Sequence, residues 1–230
     1  MKIGIFSTYD DSGAGNAAFK INRALKTHGV RSSLYVAIKK TNSGISLKKN
    51  FSYKFFFYLR NYINSIFALL FYNKQSKEGF ISLDLFKTHN SKIINSMDLD
   101  IVQINWINNF LSLGDIAKIN KPMVWRLSDM WPFIGVEHFA DSSPWNKKKS
   151  KKGIFDFDYS TWEKKKNLIN KNISIVTPSL WLAKKAKKSY LMRNCNITVI
   201  PTPIDDNIYR IKKRKKIPKT IPKKKFIILF

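Results

Sequence analysis

Short apolar runs alternate along this chain with stretches in which apolar residues recur every three or four positions. The first pattern belongs to buried strands, the second to helices packed on one face. Lys2 to Ser7 (KIGIFS) reads as a strand, Ala17 to Leu25 as a helix closed by Gly29, and Ser32 to Ile38 (SSLYVAI) as a second strand. Strand, glycine turn, helix and strand form a βαβ unit, which calls for a parallel sheet. Helical spacing returns over Leu83 to Met97, followed by a strand at Asp100 to Ile104, a short helix at Leu111 to Ile119 and a strand at Met123 to Leu127. Then come a helix at Tyr159 to Asn170, a strand at Ile173 to Thr177, a helix from Ser179 towards Leu191, and a last strand at Ile197 to Ile200. Ser179 suits an N-cap, because its hydroxyl can take a free backbone N–H. There is no internal repeat. The expected fold is α/β: a doubly wound, Rossmann-like parallel sheet.

Phe51 to Tyr72 breaks the rhythm. Two aromatic-rich halves, Phe55 to Leu59 and Ile66 to Tyr72, flank a polar centre of Arg60, Asn61 and Asn64. A membrane span wants about twenty mostly apolar residues, and a charge at its centre is expensive. Two readings stay open: a helix packed on the sheet, or an interfacial helix with Lys48, Lys49, Lys54 and Lys74 at its ends. At the other end, Lys223 to Lys225 lead into the apolar run Phe226 to Phe230. The expected organisation is a first domain over 1–205, a basic interdomain linker over 206–225, and the first strand of an absent second domain over 226–230.

Composition narrows the picture. At 230 residues with 44% hydrophobic positions, the chain can bury a full core. Cys195 is the only cysteine, so an internal disulfide and a cysteine-based zinc site are excluded, as suits a reducing compartment. No secretory pattern opens the chain, and a cytoplasmic protein is expected, with peripheral contact at the inner face of the membrane. The net charge is +27, concentrated in lysine runs at 147–152, 164–166, 184–188 and 212–225. Such runs are either solvated faces or a surface for polyanions. No zinc pattern, heptad zipper or RNP-like strand accompanies them, so no specific nucleic-acid partner is expected.

Two stretches carry candidate chemistry. Gly13, Ala14, Gly15 and Asn16 stand between the first strand and its helix, where backbone N–H groups can meet an anion. The stretch matches G-x-G-x-x-A, the dinucleotide fingerprint. Thr8 to Ser12 put five extra residues before the glycine, and Lys39-Lys40 replace the acid that would hold a ribose, so a nicotinamide cofactor is not expected. The second stretch reads DIVQINWINNF from Asp100 and KPMVWRLSDMWPFIGVEHF from Lys121. Two strands there end in polar-aromatic clusters, and parallel sheets bind ligands beyond the C-terminal ends of their strands. Trp106 and Trp131 could stack on sugar rings while Asn105 and Asp129 take hydroxyls; alternatively the tryptophans are core and Asp129 caps a turn.

These segments resemble the N-terminal domain of family-4 glycosyltransferases of GT-B fold, in particular those that assemble bacterial capsule, colanic-acid and O-antigen polysaccharides. Gly13-Ala14-Gly15 match the glycine turn, Asp100 to Ile107 an "aDivhlHWi" segment, and Val124 to Phe139 a "vvWtlHDmWpftGgchy" segment. Thr177 to Ala183 match "tpSxwla", and Val199 to Asp205 match "viPnpiD". The resemblance implies a hexosyltransferase that moves a sugar from a nucleotide sugar to a surface-glycan or lipid-linked acceptor. It implies substrate contacts at Gly13, Ala14, Gly15, Asn16, Asn105, Trp106, Ser128, Trp131 and Glu137. Two family histidines are replaced, by Asn105 and Ser128; this leaves His138 or Asp129 as the catalytic base. No metal or cofactor is expected, since cationic groups and a helix N-terminus can neutralise the leaving diphosphate. The family's donor-gripping E-x7-E half has no match in the chain. Alone it is expected to be inactive, serving as a truncated or glycan-binding half or relying on a separate donor-domain polypeptide.

Overall fold

The computed structural model describes residues 1–71, 81–140, 145–169, 173–206 and 209. Its seven strands are β1 (Lys2–Tyr9), β2 (Arg31–Ile38), β3 (Ile45–Ser46), β4 (Ile101–Ile104), β5 (Met123–Arg126), β6 (Ile173–Thr177) and β7 (Ile197–Val199). All pair in parallel, in the order β3-β2-β1-β4-β5-β6-β7. This is the doubly wound, Rossmann-like α/β arrangement. The strand order reverses between β1 and β4, which opens a crevice at their C-terminal ends.

Alternation in the strands sends side chains to two covered faces. Ile3, Ile5, Leu34 and Val36 meet α1 (Ser12–Thr27) through Ala18, Phe19, Ile21 and Leu25. Phe6, Ala37, Val102, Ile104, Met123 and Trp125 face the larger core on the other side. That core takes residues from α2 (Phe51–Phe71), α3 (Ser91–Ser96), α4 (Leu113–Lys118), α5 (Phe157–Ile169) and α6 (Leu180–Lys188). A single 3-10 turn, Trp131–Phe133, follows β5. Ser179 caps α6 as expected, its hydroxyl accepting from the Leu182 N–H at 3.3 Å.

Three expectations change. β1 runs on to Tyr9 and α1 begins at Ser12, so only Asp10 and Asp11 separate them and the five-residue spacer does not exist. The glycines lie in the first turn of α1. A Cβ on Gly15 would stand 2.6 Å from the Tyr9 carbonyl oxygen, so glycine is what lets α1 close on β1; a Cβ on Gly13 would meet nothing within 4 Å. Second, the helix expected over Leu83 to Met97 forms only at Ser91–Ser96. Its first half is irregular because its polar groups are used elsewhere: Thr88 and Ser91 bond the buried Asp115 carboxylate, and the Leu83 N–H donates to Asn64. Third, β3 was not foreseen; Asp10 holds it in place by accepting from the N–H groups of Lys40, Thr41 and Gly44.

The aromatic segment forms a 21-residue helix, α2, ending at Phe71. No helix among the described residues is long and apolar enough to cross a membrane. Tyr72, Lys74 and Asn170 lie outside the described residues, as do the expected linker (Asp206 and Tyr209 excepted) and the expected strand Phe226 to Phe230.

Candidate functional site

Beyond the C-terminal ends of β4 and β5, Asp129 and His138 meet. Oδ2 of Asp129 lies 2.6 Å from Nδ1 of His138, nine positions further along the chain. The loop between is folded back by the Met130 N–H, which donates to the His138 carbonyl, and by the Trp131 N–H, which donates to Oδ1 of Asp129 at 3.0 Å. On its far side, Nε2 of His138 lies 2.7 Å from the Ser82 hydroxyl. The carboxylate takes the Nδ1 proton, so Nε2 accepts from Ser82; a Ser–His–Asp chain of hydrogen bonds results. The Trp106 indole N–H also faces Nδ1, at 3.4 Å, but the closer carboxylate prevails. His138 is 3% exposed; Asp129, at 8%, is the end nearer solvent.

The surroundings hold this pair in place. The Trp131 indole N–H donates to the Ser82 carbonyl at 3.0 Å, while its ring stacks on His138 at 6.1 Å and 17°. Lys165 Nζ covers the Trp131 ring at 3.8 Å. Trp131 is only 6% exposed and packs against both His138 and Lys165, so of its two readings burial favours the core one, with the ring helping to position His138. Trp106 is half-buried, stacked on Tyr9 at 6.3 Å, and keeps some exposed surface beside the pair.

Lys165 is a residue that sequence reasoning missed. It is fully buried on α5, and its ammonium donates to the carbonyls of Trp131, Ile134 and Gly135. Burial pushes its pKa well below the ordinary lysine value, opposed by Asp129, Asp158 and Asp84. Three carbonyls and an aromatic face are nevertheless suited to an ammonium, so we take Lys165 as the cationic clamp of the loop that carries His138. Asp158 adds a second clamp by accepting from the Val136 N–H at 3.0 Å; it approaches Gly135 so closely that a Cβ there would sit 1.4 Å from Oδ1. Only the Lys164-Lys165-Lys166 run on α5 hints at this in the sequence, and a lysine run there reads as solvated. Ser82 was missed for a like reason: a lone serine in an extended segment carries no signal.

The remaining sequence-derived residues divide. Asn105, 3% exposed, accepts from Gln103 at 3.1 Å, but its amide nitrogen has no hydrogen-bond partner; neither has the Ser128 hydroxyl. Buried polar groups without partners are rare, and these two follow adjacent strands. Gly13, Ala14, Gly15 and Asn16 lie beyond β1, the next strand over, in a helical turn whose N-cap, Asp11, makes no side-chain cap bond and instead pairs with Lys40 at 3.2 Å. Glu137 lines a cavity of about 620 Å³ with Phe71, Lys147, Lys148, Lys149 and Lys152, a lining that includes neither Asp129 nor His138. Among the described residues no cluster of three or more His, Cys, Asp or Glu could hold a metal ion.

No family model matches the chain, and no curated protein matches it. Among solved structures, the chain is similar to LpCGTa in complex with UDP, at 10% identity and a TM-score of 0.41, over 90% of this chain and 54% of that one. The chain thus spans about half the length of that structure. So loose a likeness says nothing of activity; the seven-stranded parallel sheet with its C-terminal crevice stands on the strand pairing alone.

Proposed function

We propose that this chain is the acceptor-side domain of a GT-B glycosyltransferase. The complete enzyme moves a sugar from a nucleotide sugar to a surface-polysaccharide or lipid-linked acceptor. The observation that carries the reading is the buried Asp129–His138 pair at the C-terminal edge of β5, within a segment that resembles the polysaccharide-assembling glycosyltransferases. The acceptor hydroxyl binds at the edge of Asp129 that is nearer solvent than His138. As its oxygen bonds to the anomeric carbon, the bond from that carbon to the diphosphate breaks, and the hydroxyl proton passes to Asp129, whose charge is shared with the His138 ring. Asn105 and Ser128 supply the unsatisfied donors for sugar hydroxyls and Trp106 an aromatic surface, while Glu137 belongs to the neighbouring lysine-lined cavity. The first turn of α1, at Gly13 to Asn16, turns its free N–H groups toward the donor diphosphate. No metal is needed in this scheme.

The test is a transfer assay on protein isolated from the source cells, with native membranes as acceptor and a panel of radiolabelled nucleotide sugars. General acid–base catalysis contributes on the order of 10²–10⁴ in rate. Incorporation into glycolipid should therefore fall about 100-fold in Asp129→Asn, a variant that keeps its shape and its bond to the Trp131 N–H. Full activity in that variant, with melting unchanged, would refute the assigned role; no incorporation from any donor would refute the transferase reading.

A further inference from the structure

Helix α2 is apolar on the side that faces away from the protein. Tyr53, Phe57 and Asn64 point inward and are buried, with Phe57 against Tyr9 and Asn64 bonded to the backbone at Ile81 and Leu83. Phe51, Phe55, Tyr58, Tyr62, Ile66 and Leu69, at spacings of three and four, form the opposite stripe, and all are exposed, Leu69 by 69%. A surface helix ordinarily turns its polar side to water. Here 21 residues contain no acid, and at about 1.5 Å per residue the stripe is about 30 Å long.

The stripe is joined to a second feature. At its C-terminal end Phe71 packs on Phe155 and Phe157, at ring distances of 6.2 and 5.2 Å. Phe155 and its neighbour Ile154 are exposed by 71% and 85%, and the lysines of residues 147–152 precede them in the same loop. Lys149 is paired with Asp158, whereas Lys147, Lys148, Lys151 and Lys152 are exposed. Lys48, Lys49 and Lys54 stand at the other end of the helix.

We propose that the outward stripe of α2 and the Ile154–Phe155 tip form one docking surface for an anionic lipid bilayer, with the helix lying in the plane of the interface. Phenylalanine and leucine enter the acyl boundary, Tyr58 and Tyr62 sit at headgroup depth, and lysines at both ends meet lipid phosphates. Charge selects this occupant over a second copy of the chain. Two stripes packed together, parallel or antiparallel, would bring lysines of one copy onto lysines of the other. The surface goes beyond the transferase reading and does not depend on it. It bears on the site all the same: through Asn64, α2 holds the segment that carries Ser82, the partner of His138. The lysine-lined cavity that includes Glu137 opens beside Phe71. A lipid-linked acceptor would arrive at that edge.

The experiment is co-sedimentation of the full chain with vesicles of phosphatidylcholine alone and of phosphatidylcholine with about 30% phosphatidylglycerol, with sedimentation velocity on the same samples. Partitioning should be at least tenfold stronger on the anionic vesicles, and should fall at least tenfold both in Phe55→Glu/Tyr62→Glu/Leu69→Glu and in Lys147→Glu/Lys148→Glu/Lys152→Glu. These positions are exposed, so circular dichroism and melting should be unchanged. Equal binding to both vesicles, or wild-type binding by the helix variant, would overturn the proposal. So would a lipid-free dimer that the helix variant dissociates. Because the readout is lipid binding, failure here leaves the transferase reading standing, and failure of the transfer assay leaves this surface standing.

Discussion

Buried polar side chains carry most of the specificity at the scale of single residues. Asp115 is 3% exposed; it accepts from the N–H groups of Ser91 and Ser112 and from the hydroxyls of Thr88, Ser91 and Ser112. Burial pushes its pKa up, but these five donors outweigh it and hold the carboxyl below its ordinary value. Asp10 is held low in the same way by Lys40 and Thr41. The folded chain therefore takes up these two protons at lower pH than the unfolded chain does. The stabilisation is complete above the ordinary carboxylate pKa, near pH 4, and is lost as pH falls through the folded values. Urea midpoints should accordingly drop between pH 6 and pH 3. Asp115→Asn, which turns an amide N–H₂ toward hydroxyl and N–H donors, should cost about 2 kcal/mol at pH 7 and flatten that slope. A slope equal to wild type would mean that other groups set the acid limit. Lys165→Met is the companion case: it orphans three carbonyls under the His138 loop, and a loss of about 3 kcal/mol in chemical denaturation is expected.

Elements are set by close approaches as much as by propensity. Two glycines two positions apart in α1 should respond oppositely to the same change. Gly15→Ala drives a methyl into the Tyr9 carbonyl, which is backbone and cannot yield, and about 2 kcal/mol of destabilisation is expected. Gly13→Ala meets open space and should gain several tenths of a kcal/mol from helix propensity. Paired thermal melts decide it; equal effects would mean that α1 does not sit against β1 as described. The capping box of α4, where Ser112 and Asp115 bond each other's backbone N–H, shows the reverse economy. The same carboxylate that caps α4 also starts α3, so the two short helices hold each other in place.

Over the whole molecule, charge dominates. A net +27 on a chain of this size repels itself, and screening relieves that repulsion. Raising sodium chloride from about 10 mM to about 300 mM should raise the melting temperature, and should abolish retention on polyanion resins without any sequence preference. A melting temperature indifferent to salt would mean that the lysine runs lie too far apart to interact. The sheet itself is insensitive to this surface, since both of its faces are closed by apolar layers.

Strand positions were legible along the chain because a parallel strand buried on both sides carries a short run of mostly apolar residues, as IGIF in β1 and ISIV in β6 do. Order along the chain and the right-handed crossover rule then leave few sheets to choose from. Asp129 and His138 could be named from a motif, as could the open ends of β4 and β5. Four things had no local signature. The irregular path of 82–90 depends on Asp115, more than twenty residues away. The two-residue β3 depends on Asp10. Trp131 read either as a sugar platform or as core, and its burial against Lys165 and His138 is set by the tertiary fold. Ser82 reaches His138 only because α2, through Asn64, sets that segment down beside the β5 loop. Periodicity and turn chemistry act over a few residues and are written in order along the chain. Hydrogen bonds between buried polar groups are satisfied by whatever the fold brings within about 3 Å, and only the tertiary structure decides which groups those are.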